Sequence, residues 1–436
     1  MKILLIGSGG REHAMALKLL AGPTPVQLWA APGSDALAAL GTCVPLAVDD
    51  LAGLCAWAKA ERPDLVVVGP EVPLVAGLAD ALRREGIQVF GHNAATARLE
   101  GSKAFAKEFM VRHAIPCAAS QTYRDLAAAE EAIRHWPYGF PIVLKADGLA
   151  AGKGVVLAPN RAEALETVRA FMAGQFGAAS ETVVLEEPLI GMELSLHVLV
   201  AVDGQHSAYA MLPPCQDHKR IFDGDRGPNT GGMGAFGPLP FLREQDLEAL
   251  RRDLVEPTVR GLRLDGLEAR GVLFLGVMWT PRGPRLLEYN VRFGDPETQV
   301  LMELLDEDLA PLLLEVAEGR LNRPALALHA GCAITVVLAA EGYPEKPTQG
   351  TGITLGAPEG VKVIHAGTRQ EGDAWVTAGG RVLNLVTLAP DLAQARARIA
   401  QALPEVTWAG RQCRQDIGLR ALNHAQAGRT VHDAFA

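Results

Sequence analysis

The sequence Leu-Leu-Glu-Tyr-Asn-Val-Arg-Phe-Gly-Asp-Pro-Glu, which occupies residues 286–297, begins with an alternation of apolar and polar residues that predicts a β-strand. Successive side chains of a strand point to opposite faces, so one face is predicted to be apolar and the other polar. The apolar face consists of Leu287, Tyr289 and Val291. The polar face consists of Glu288, Asn290 and Arg292.

The polar face of this strand predicts a metal site. Glu288 and Asn290 present two oxygen ligands, and Mg²⁺ (or Mn²⁺) can share such a pair while phosphate and water fill its other positions. Arg292, next on the same face, can hold an anion through two parallel hydrogen bonds. A solvated edge strand is the alternative, but the dense charged run of residues 292–297 favours a site.

Length and composition bound the function. The 436 residues predict about two to four domains, and a net charge of −9 without a basic block argues against binding to nucleic acid. No apolar run is long enough to span a bilayer, and the six scattered cysteines predict reduced thiols. We therefore expect a cytoplasmic protein, monomeric rather than oligomeric, that acts on small molecules and binds neither nucleic acid nor membranes.

Residues 1–101 alternate short apolar strands with helices, which predicts a doubly wound parallel sheet with ligands at the carboxyl ends of its strands. The glycine-rich turn Gly7–Arg11 follows the first strand and suits a sugar phosphate or nucleotide-sugar. A dinucleotide fingerprint is the rival, but Glu12 stands at its third glycine position and the second strand ends without an acid. A turn without ligand is a further alternative. The candidate binding residues here are Gly9, Gly10, Arg11 and Glu71.

Residues 118–190 predict a second small α/β unit, in which the loop Asp147–Gly154 joins two strands. This loop does not open a helix as a Walker loop would, and it predicts a mobile hairpin whose N–H groups close on nucleotide phosphates. Lys103 in the first turn of a helix opposes the helix dipole, which hints at an anionic ligand. An ordinary hairpin and a surface lysine are the alternatives. The candidate nucleotide-binding residues are Lys103, Lys145, Gly152, Lys153, Gly154, Glu186, Glu187, Leu189 and Glu193.

Residues 217–234 are too rich in glycine for a regular element and too charged for a core. Backbone nests beside cations in such a loop suit a phosphorylated substrate. His218 within it is either catalytic or simply solvated. Residues 326–436 predict an α+β cap, whose segment Gly342-Tyr343-Pro344 carries no chemistry that its residues alone assign.

A series of motifs in this order resembles the glycinamide ribonucleotide synthetase family of the ATP-grasp superfamily. The motifs lie at residues 7–13, 68–71, 100–103, 145–154, 216–220, 227–234 and 292–297. The resemblance implies multidomain α/β and α+β architecture. The implied parts are an N-terminal domain (1–101), a large ATP-grasp subdomain (102–120 and 191–325), a small lid subdomain (121–190) and a C-terminal domain (326–436).

The resemblance also implies a reaction, in which ATP drives the ligation of glycine to 5-phosphoribosylamine through glycyl phosphate, as a step of purine biosynthesis. The implied catalytic residues are Arg292, Asp217 and Lys219. The implied metal ligands are Glu288 and Asn290, and the implied phosphate lysines are Lys103 and Lys145. The implied adenine and ribose contacts are Glu186, Glu187, Leu189 and Glu193. The implied substrate-binding residues are Gly9, Gly10, Arg11, Glu71, Gly231, Gly232 and Asp295.

Two departures from the family pattern stand out. The strand Gly271–Trp279 lacks the acid that many ATP-grasp enzymes place there, so a second metal must be held by phosphates or by Asp295 or Glu297. Ser34 stands where the family implies asparagine. Three other functions stay open at this stage, namely a different ATP-grasp ligase or carboxylase, a non-catalytic ATP-binding sensor, and an NAD-dependent oxidoreductase.

Overall fold

The computed structural model describes residues 1–149, 154–177, 181–323 and 325–435. Its N-terminal strands form a parallel sheet in the order β3-β2-β1-β4-β5. The elements are β1 (Lys2–Gly7), α1 (Gly10–Ala21), β2 (Gln27–Pro32), α2 (Asp35–Ala38), β3 (Thr42–Cys43), α3 (Leu51–Glu61), β4 (Leu65–Val68), α4 (Glu71–Val75), α5 (Leu78–Arg84), β5 (Val89–Phe90), α6 (Ala94–Gly101) and α7 (Lys103–Arg112). Leu4 and Ile6 of β1 enter one core and Ile3 and Leu5 another, as expected for a sheet buried on both faces.

A small unit follows, with a core of its own. Its four-stranded sheet has the order β6-β9-β7-β8, and two helices pack on it. The elements are β6 (Ser120–Tyr123), α8 (Leu126–Arg134), β7 (Ile142–Ala146), β8 (Val155–Ala158), α9 (Arg161–Met172) and β9 (Val183–Glu186). The predicted strand–loop–strand arrangement is present, because β7 and β8 pair as an antiparallel hairpin. A separate core allows this unit to move as one body.

The central part is built on an antiparallel sheet in the order β11-β10-β16-β17. Its elements are β10 (Met192–Val202), β11 (Ser207–Met211), β12 (Gln216–Asp217), β13 (Arg220–Phe222), β14 (Arg226–Asn229), β15 (Gly234–Gly237), α10 (Glu244–Leu250), a π-helical turn (Arg251–Val255), α11 (Glu256–Leu264), β16 (Ala269–Thr280), β17 (Gly283–Asn290), α12 (Glu297–Leu304) and α13 (Leu309–Ala317).

The C-terminal part shares a sheet with the central part. Its elements are β18 (Cys332–Ala339), β19 (Gly352–Leu355), β20 (Lys362–His365), β21 (Thr368–Glu371), β22 (Ala374–Thr377), β23 (Arg381–Ala389), α14 (Leu392–Ala402), a 3-10 turn (Leu403–Glu405), β24 (Val406–Thr407), α15 (Leu419–Gln426) and a second 3-10 turn (Val431–Phe435). One sheet has the order β12-β15-β18-β23-β20. Two strands that precede residue 326 therefore pair within the C-terminal layer.

A β-bulge interrupts the alternation predicted for residues 286–291. Gly276 of β16 pairs with Glu288, but the next residue, Val277, pairs with Leu286. Leu287 is the additional residue, and it is half-buried, whereas Leu286 is fully buried. The prediction that Leu287 belongs to the apolar face is therefore wrong, because a bulge places two successive residues opposite one and re-aims the side chains around it.

Within the described ranges, no helix has both the length and the apolar character needed to cross a bilayer.

The bulge predicts unequal costs for two neighbouring substitutions. Leu286→Ala should lower the free energy of unfolding by about 2–5 kcal/mol, because it leaves a cavity in the core. Leu287→Ala should cost less, since its side chain is already partly in water. Differential scanning calorimetry of the two variants checks this order. A melting temperature for Leu287→Ala below that of Leu286→Ala would indicate that Leu287 belongs to the apolar face.

Candidate active site

Arg292 lies at the centre of the polar groups that follow β17. Its Nε is 3.2 Å from Glu71 Oε2, and one terminal nitrogen is 3.1 Å from Glu100 Oε1. The same nitrogen donates a hydrogen bond of 3.2 Å to Asn290 Oδ1. Burial opposes the charge of the guanidinium, but Glu100 and Glu71 outweigh it and raise the pKa of Arg292. The predicted residues Glu71, Asn290 and Arg292 are thus in contact.

Glu288 faces cations from three separate elements. Burial by itself raises the pKa of Glu288, but Lys219, Lys145 and Lys103 together lower it by more. The net pKa is therefore depressed. The carboxylate therefore stays ionised at neutral pH. A side chain on the paired Gly276 would meet Glu288, since a Cβ there would lie 3.2 Å from its Cγ. This crowding gives a physical reason why β16 carries no acid beside Glu288.

The donor set fits a Mg²⁺ ion that is held mainly by phosphates. Glu288 and Asn290 supply two oxygens on one strand, and Mg²⁺ commonly takes one or two protein ligands beside nucleotide phosphates. Across the part of the chain that the structure describes, no group of three His, Cys, Asp or Glu residues is arranged to hold a metal by itself. A metal at this site would therefore need phosphate oxygens.

Two predicted phosphate lysines line the same cleft. Lys103 Nζ donates a hydrogen bond of 2.8 Å to the carbonyl of Gly148. Lys145 Nζ lies 3.0 Å from Glu186 Oε2, whose other oxygen is 3.3 Å from Lys107 Nζ. Burial lowers the pKa of Lys103, although Glu288 opposes this shift. The side chain of Glu186 is thus buried between two lysines.

The loop after β7 is attached to the start of α7 through Asp147. Its carboxylate accepts hydrogen bonds of 3.1 Å from Ser102 Oγ and from the backbone N–H of Ala104. Gly154 at the far end of the loop is buried, and its carbonyl accepts from the N–H of Ala146 at 2.8 Å. The predicted nucleotide contacts Gly152 and Lys153 lie outside the described residues.

The predicted adenine segment begins at Glu186, the last residue of β9. Glu187 donates its N–H to the carbonyl of Ala119 at 3.0 Å, and its carboxylate accepts from the N–H of Ala119 at 3.0 Å. Leu189 is half-buried beyond it. Glu193 at the start of β10 pairs with Lys219, and both side chains remain partly exposed.

Asp217 and Lys219 flank a histidine that is held by backbone groups. His218 Nδ1 is 3.3 Å from the carbonyl of Gly234, and its Nε2 accepts from the N–H of Gly418 at 3.3 Å. Burial, and then Arg414, lower the pKa of His218 to about 4. His218 is therefore a neutral imidazole that two backbone groups hold in place. Burial and Glu297 raise the pKa of Asp217, and Glu193 together with Glu288 raises that of Lys219 in spite of burial.

The acids of the loop before α12 are engaged by protein groups. Asp295 accepts from Gln299 Nε2 at 2.8 Å and lies 3.1 Å from a terminal nitrogen of Arg381. Burial opposes ionisation of Asp295, but Arg381 and then Arg11 keep its pKa low. Glu297 is buried and accepts from Ser195 Oγ at 2.7 Å. Both acids therefore brace the loop in this structure.

Glu12 fills the space beside the N-terminal glycine turn. Its carboxylate accepts from the N–H of Gly9 at 2.8 Å and from Arg11 Nε at 2.6 Å. A Cβ on Gly69 would lie 2.0 Å from Glu12 Oε1, so the acid occupies the gap between the ends of β1 and β4. A carboxylate at this place disfavours a dinucleotide pyrophosphate. Ser34 caps α2, because its Oγ accepts from the N–H of Leu37 at 3.3 Å.

Comparison with known proteins assigns the family. Models of the phosphoribosylglycinamide synthetase family match residues 1–100 (N domain), 101–298 (ATP-grasp domain) and 333–420 (C domain). A phosphoribosylamine–glycine ligase of Brucella melitensis is 48% identical over 433 residues, which cover 98% of this chain and 100% of the relative. The chain belongs to the phosphoribosylglycinamide synthetase family. The predicted family, fold class and ATP-grasp ligase class are confirmed.

Two further comparisons bear on this family and on its fold. The crystal structure of a phosphoribosylamine–glycine ligase from Thermotoga maritima has a TM-score of 0.83 at 33% identity, over 96% of this chain and 100% of that one. A biotin carboxylase from Campylobacter jejuni has a TM-score of 0.73 at 17% identity, over 100% of this chain and 98% of that one. The second likeness shows only that the fold is shared.

The structure brings together residues near Arg292 and Asp295 that sequence reasoning missed. Glu100 lies in one of the motifs, which assigns it no role, yet it pairs with Arg292 and accepts from the N–H of Val291 at 2.7 Å. Nothing in the local sequence of Arg381 connects it with Asp295. Lys107 has a weak signal, since it follows Lys103 by one helical turn on the same face.

Glu100 predicts a pH dependence of stability. Burial raises its pKa to about 7 from an ordinary value of 4.5, although Arg292 opposes the shift. The folded state thus prefers the protonated carboxyl, and this stabilisation is complete below about pH 4.5 and is lost as the pH rises through about 7. Between about pH 4.5 and 7, the free energy of unfolding of the wild type should fall by about 3 kcal/mol relative to that of Glu100→Gln.

Chemical unfolding at a series of pH values measures this difference. Glu345→Gln, at an exposed glutamate, is the matched control and should follow the wild type. Parallel curves for the wild type and Glu100→Gln would contradict the raised pKa.

Proposed function

We propose that the chain ligates glycine to 5-phosphoribosylamine and converts ATP to ADP and phosphate, which yields glycinamide ribonucleotide for purine biosynthesis. The observation that carries the proposal is the cluster around β17, where the ionised Glu288 faces Lys103, Lys145 and Lys219 beside Arg292. Several cations gathered around one ionised acid suit a triphosphate with its metal ion. The curated relatives named phosphoribosylamine–glycine ligase support the choice of substrates.

The first step in this proposal is phosphoryl transfer to glycine. A carboxylate oxygen of glycine attacks the γ-phosphorus of ATP, the bond to the β-phosphate oxygen breaks, and ADP and glycyl phosphate result. Lys103 and Lys145 turn from their present partners to the phosphates, and Arg292 holds the acyl phosphate. Glu288 and Asn290 would hold Mg²⁺ or Mn²⁺, which supplies neutralisation of phosphate charge.

The second step is attack by the amine of phosphoribosylamine. Its nitrogen bonds to the carbonyl carbon of glycyl phosphate, phosphate leaves, and the nitrogen releases a proton. Asp217 is the proposed acceptor of that proton, because burial and Glu297 raise its pKa and so make its carboxylate a stronger base. Its oxygens border the glycine loop of residues 231–232, since a Cβ on Gly232 would lie 2.7 Å from Oδ1 of Asp217.

The small unit serves in this proposal as the lid. We place the lid at residues 121–190, on a larger subdomain formed by 102–120 and 191–325, between an N-terminal domain (1–101) and a C-terminal domain (326–436). The separate core of the small unit and its docking through Asp147 support that role. Closure would exclude water, which matters because an acyl phosphate hydrolyses readily. We further propose a cytoplasmic monomer with small-molecule partners, which the net charge of −9 favours over nucleic acid.

A coupled assay of ADP release tests the reaction. Turnover should require glycine and phosphoribosylamine together, and bicarbonate should not replace them. Bicarbonate matters as a control because biotin carboxylases share the fold. Turnover that depends on bicarbonate would overturn the choice of substrates, and ATP binding without turnover would favour the sensor.

Removal of the central acid tests the metal and phosphate roles. Glu288→Ala should lower kcat by about a hundredfold or more, because the charge that organises the cations and the metal is lost. Glu303→Ala removes a glutamate that pairs with Lys362 away from the cleft, and it should keep activity. Steady-state kinetics at saturating Mg²⁺ provides the readout. Near-normal turnover of Glu288→Ala would rule out the metal assignment.

A further inference from the structure

Arg381, at the start of β23, connects two loops that lie far apart in the sequence. One terminal nitrogen donates to the carbonyl of Gly231 at 2.6 Å and to the carbonyl of Asp295 at 2.7 Å. The other lies 3.1 Å from Asp295 Oδ2. A single guanidinium from the C-terminal part thus holds the glycine loop of residues 231–232 against the loop before α12.

The contacts of Arg381 are internal to the protein. Its side chain is only 22% exposed, and both terminal nitrogens have protein acceptors. Burial opposes its charge, but Asp295 raises the pKa of Arg381, so the guanidinium stays protonated. In this structure the guanidinium of Arg381 binds two backbone carbonyls and one carboxylate, so its role is to position those groups.

Tyr343 holds the other backbone group of the same glycine. Its hydroxyl accepts from the N–H of Gly231 at 3.0 Å, while Arg381 takes the carbonyl. The ring packs against Gly380, where a Cβ would lie 2.3 Å from Cδ2 of the tyrosine. The segment Gly342-Tyr343-Pro344, to which the sequence alone assigns no chemistry, therefore contacts the glycine loop. We refer to Arg381 and Tyr343 together as the clamp.

Both glycines of the loop disfavour a side chain. A Cβ on Gly231 would lie 3.1 Å from Cζ of Arg381, and Gly232 has a φ of +113°, which side chains rarely adopt. Gly232 lies beside Asp217, and Asp295 pairs with Arg381. The carboxylates of Asp217 and Asp295 can accept hydrogen bonds from the amine and the hydroxyls of a phosphorylated sugar amine.

We propose that Arg381 and Tyr343 are positioning residues that set the binding site of the phosphorylated sugar amine through Gly231, Gly232 and Asp295. This inference rests on the proposed function. The lysines and Glu288 that serve ATP lie on other elements, so loss of the clamp should affect the sugar amine selectively. The C-terminal part thereby becomes a specificity element of the site.

The test compares Arg381→Gln, Arg381→Lys and Tyr343→Phe in the full chain, with Arg369→Gln as control. Arg369 is an exposed residue of β21 that pairs with Glu371. Arg381→Gln should raise KM for phosphoribosylamine by roughly tenfold to a hundredfold, since it loses charged hydrogen bonds. KM for ATP and for glycine should stay within about twofold of wild type, because the substitution leaves both the lysines proposed for ATP and the Arg292 proposed for glycyl phosphate in place. Arg381→Lys should recover part of the loss.

Tyr343→Phe removes only the hydroxyl, and it keeps the inference testable if Arg381→Gln does not fold. It should raise the same KM by roughly fivefold to tenfold without a change in thermal unfolding comparable to that of a core deletion. Unchanged KM for phosphoribosylamine, or an equal rise for all three substrates, would overturn the clamp while leaving the reaction in place. Wild type that fails to turn over glycine and phosphoribosylamine would instead overturn the proposed function.

Discussion

The ion pairs of Arg292 hold three parts of the chain in one site. Glu71 begins α4, Glu100 lies on α6, and Arg292 follows β17, so one guanidinium joins the N-terminal sheet to the central sheet. Burial raises the pKa of Glu100 to about 7, although Arg292 opposes the shift, and the nearby Glu71 adds to the rise. A buried cation that is fixed by two acids has few orientations, and this gives the cleft its geometry.

In the proposed function, the phosphates of a nucleotide replace the protein partners of the lysines near Arg292. Lys103 holds a backbone carbonyl, Lys145 holds Glu186, and Lys219 holds Glu193. Lys107 also pairs with Glu186, so Glu186 keeps one partner if Lys145 turns to phosphate. Protein groups thus hold the lysines in place, and preorganised charge of this kind supplies much of the catalysis in phosphoryl transfer.

The shared sheet explains how the C-terminal part reaches the glycine loop of residues 231–232. β15 pairs with β18, and β18 pairs with β23, so the start of β23 lies close to the glycine loop that precedes β15. Arg381 and Tyr343 gain access to Gly231 through that pairing. The C-terminal part is therefore fixed to the site by continuous backbone hydrogen bonds rather than by a flexible linker.

The sequence by itself determined what depends on neighbours along the chain. Alternation predicted the strands and the polar face of Glu288, Asn290 and Arg292, and small residues between strands predicted the hairpin loop. The bulge at Leu287 and the clamp of Arg381 on Asp295 were decided only by tertiary structure. Strand register and contacts between distant segments depend on which strands pair and which charges burial brings together, and a linear pattern carries neither.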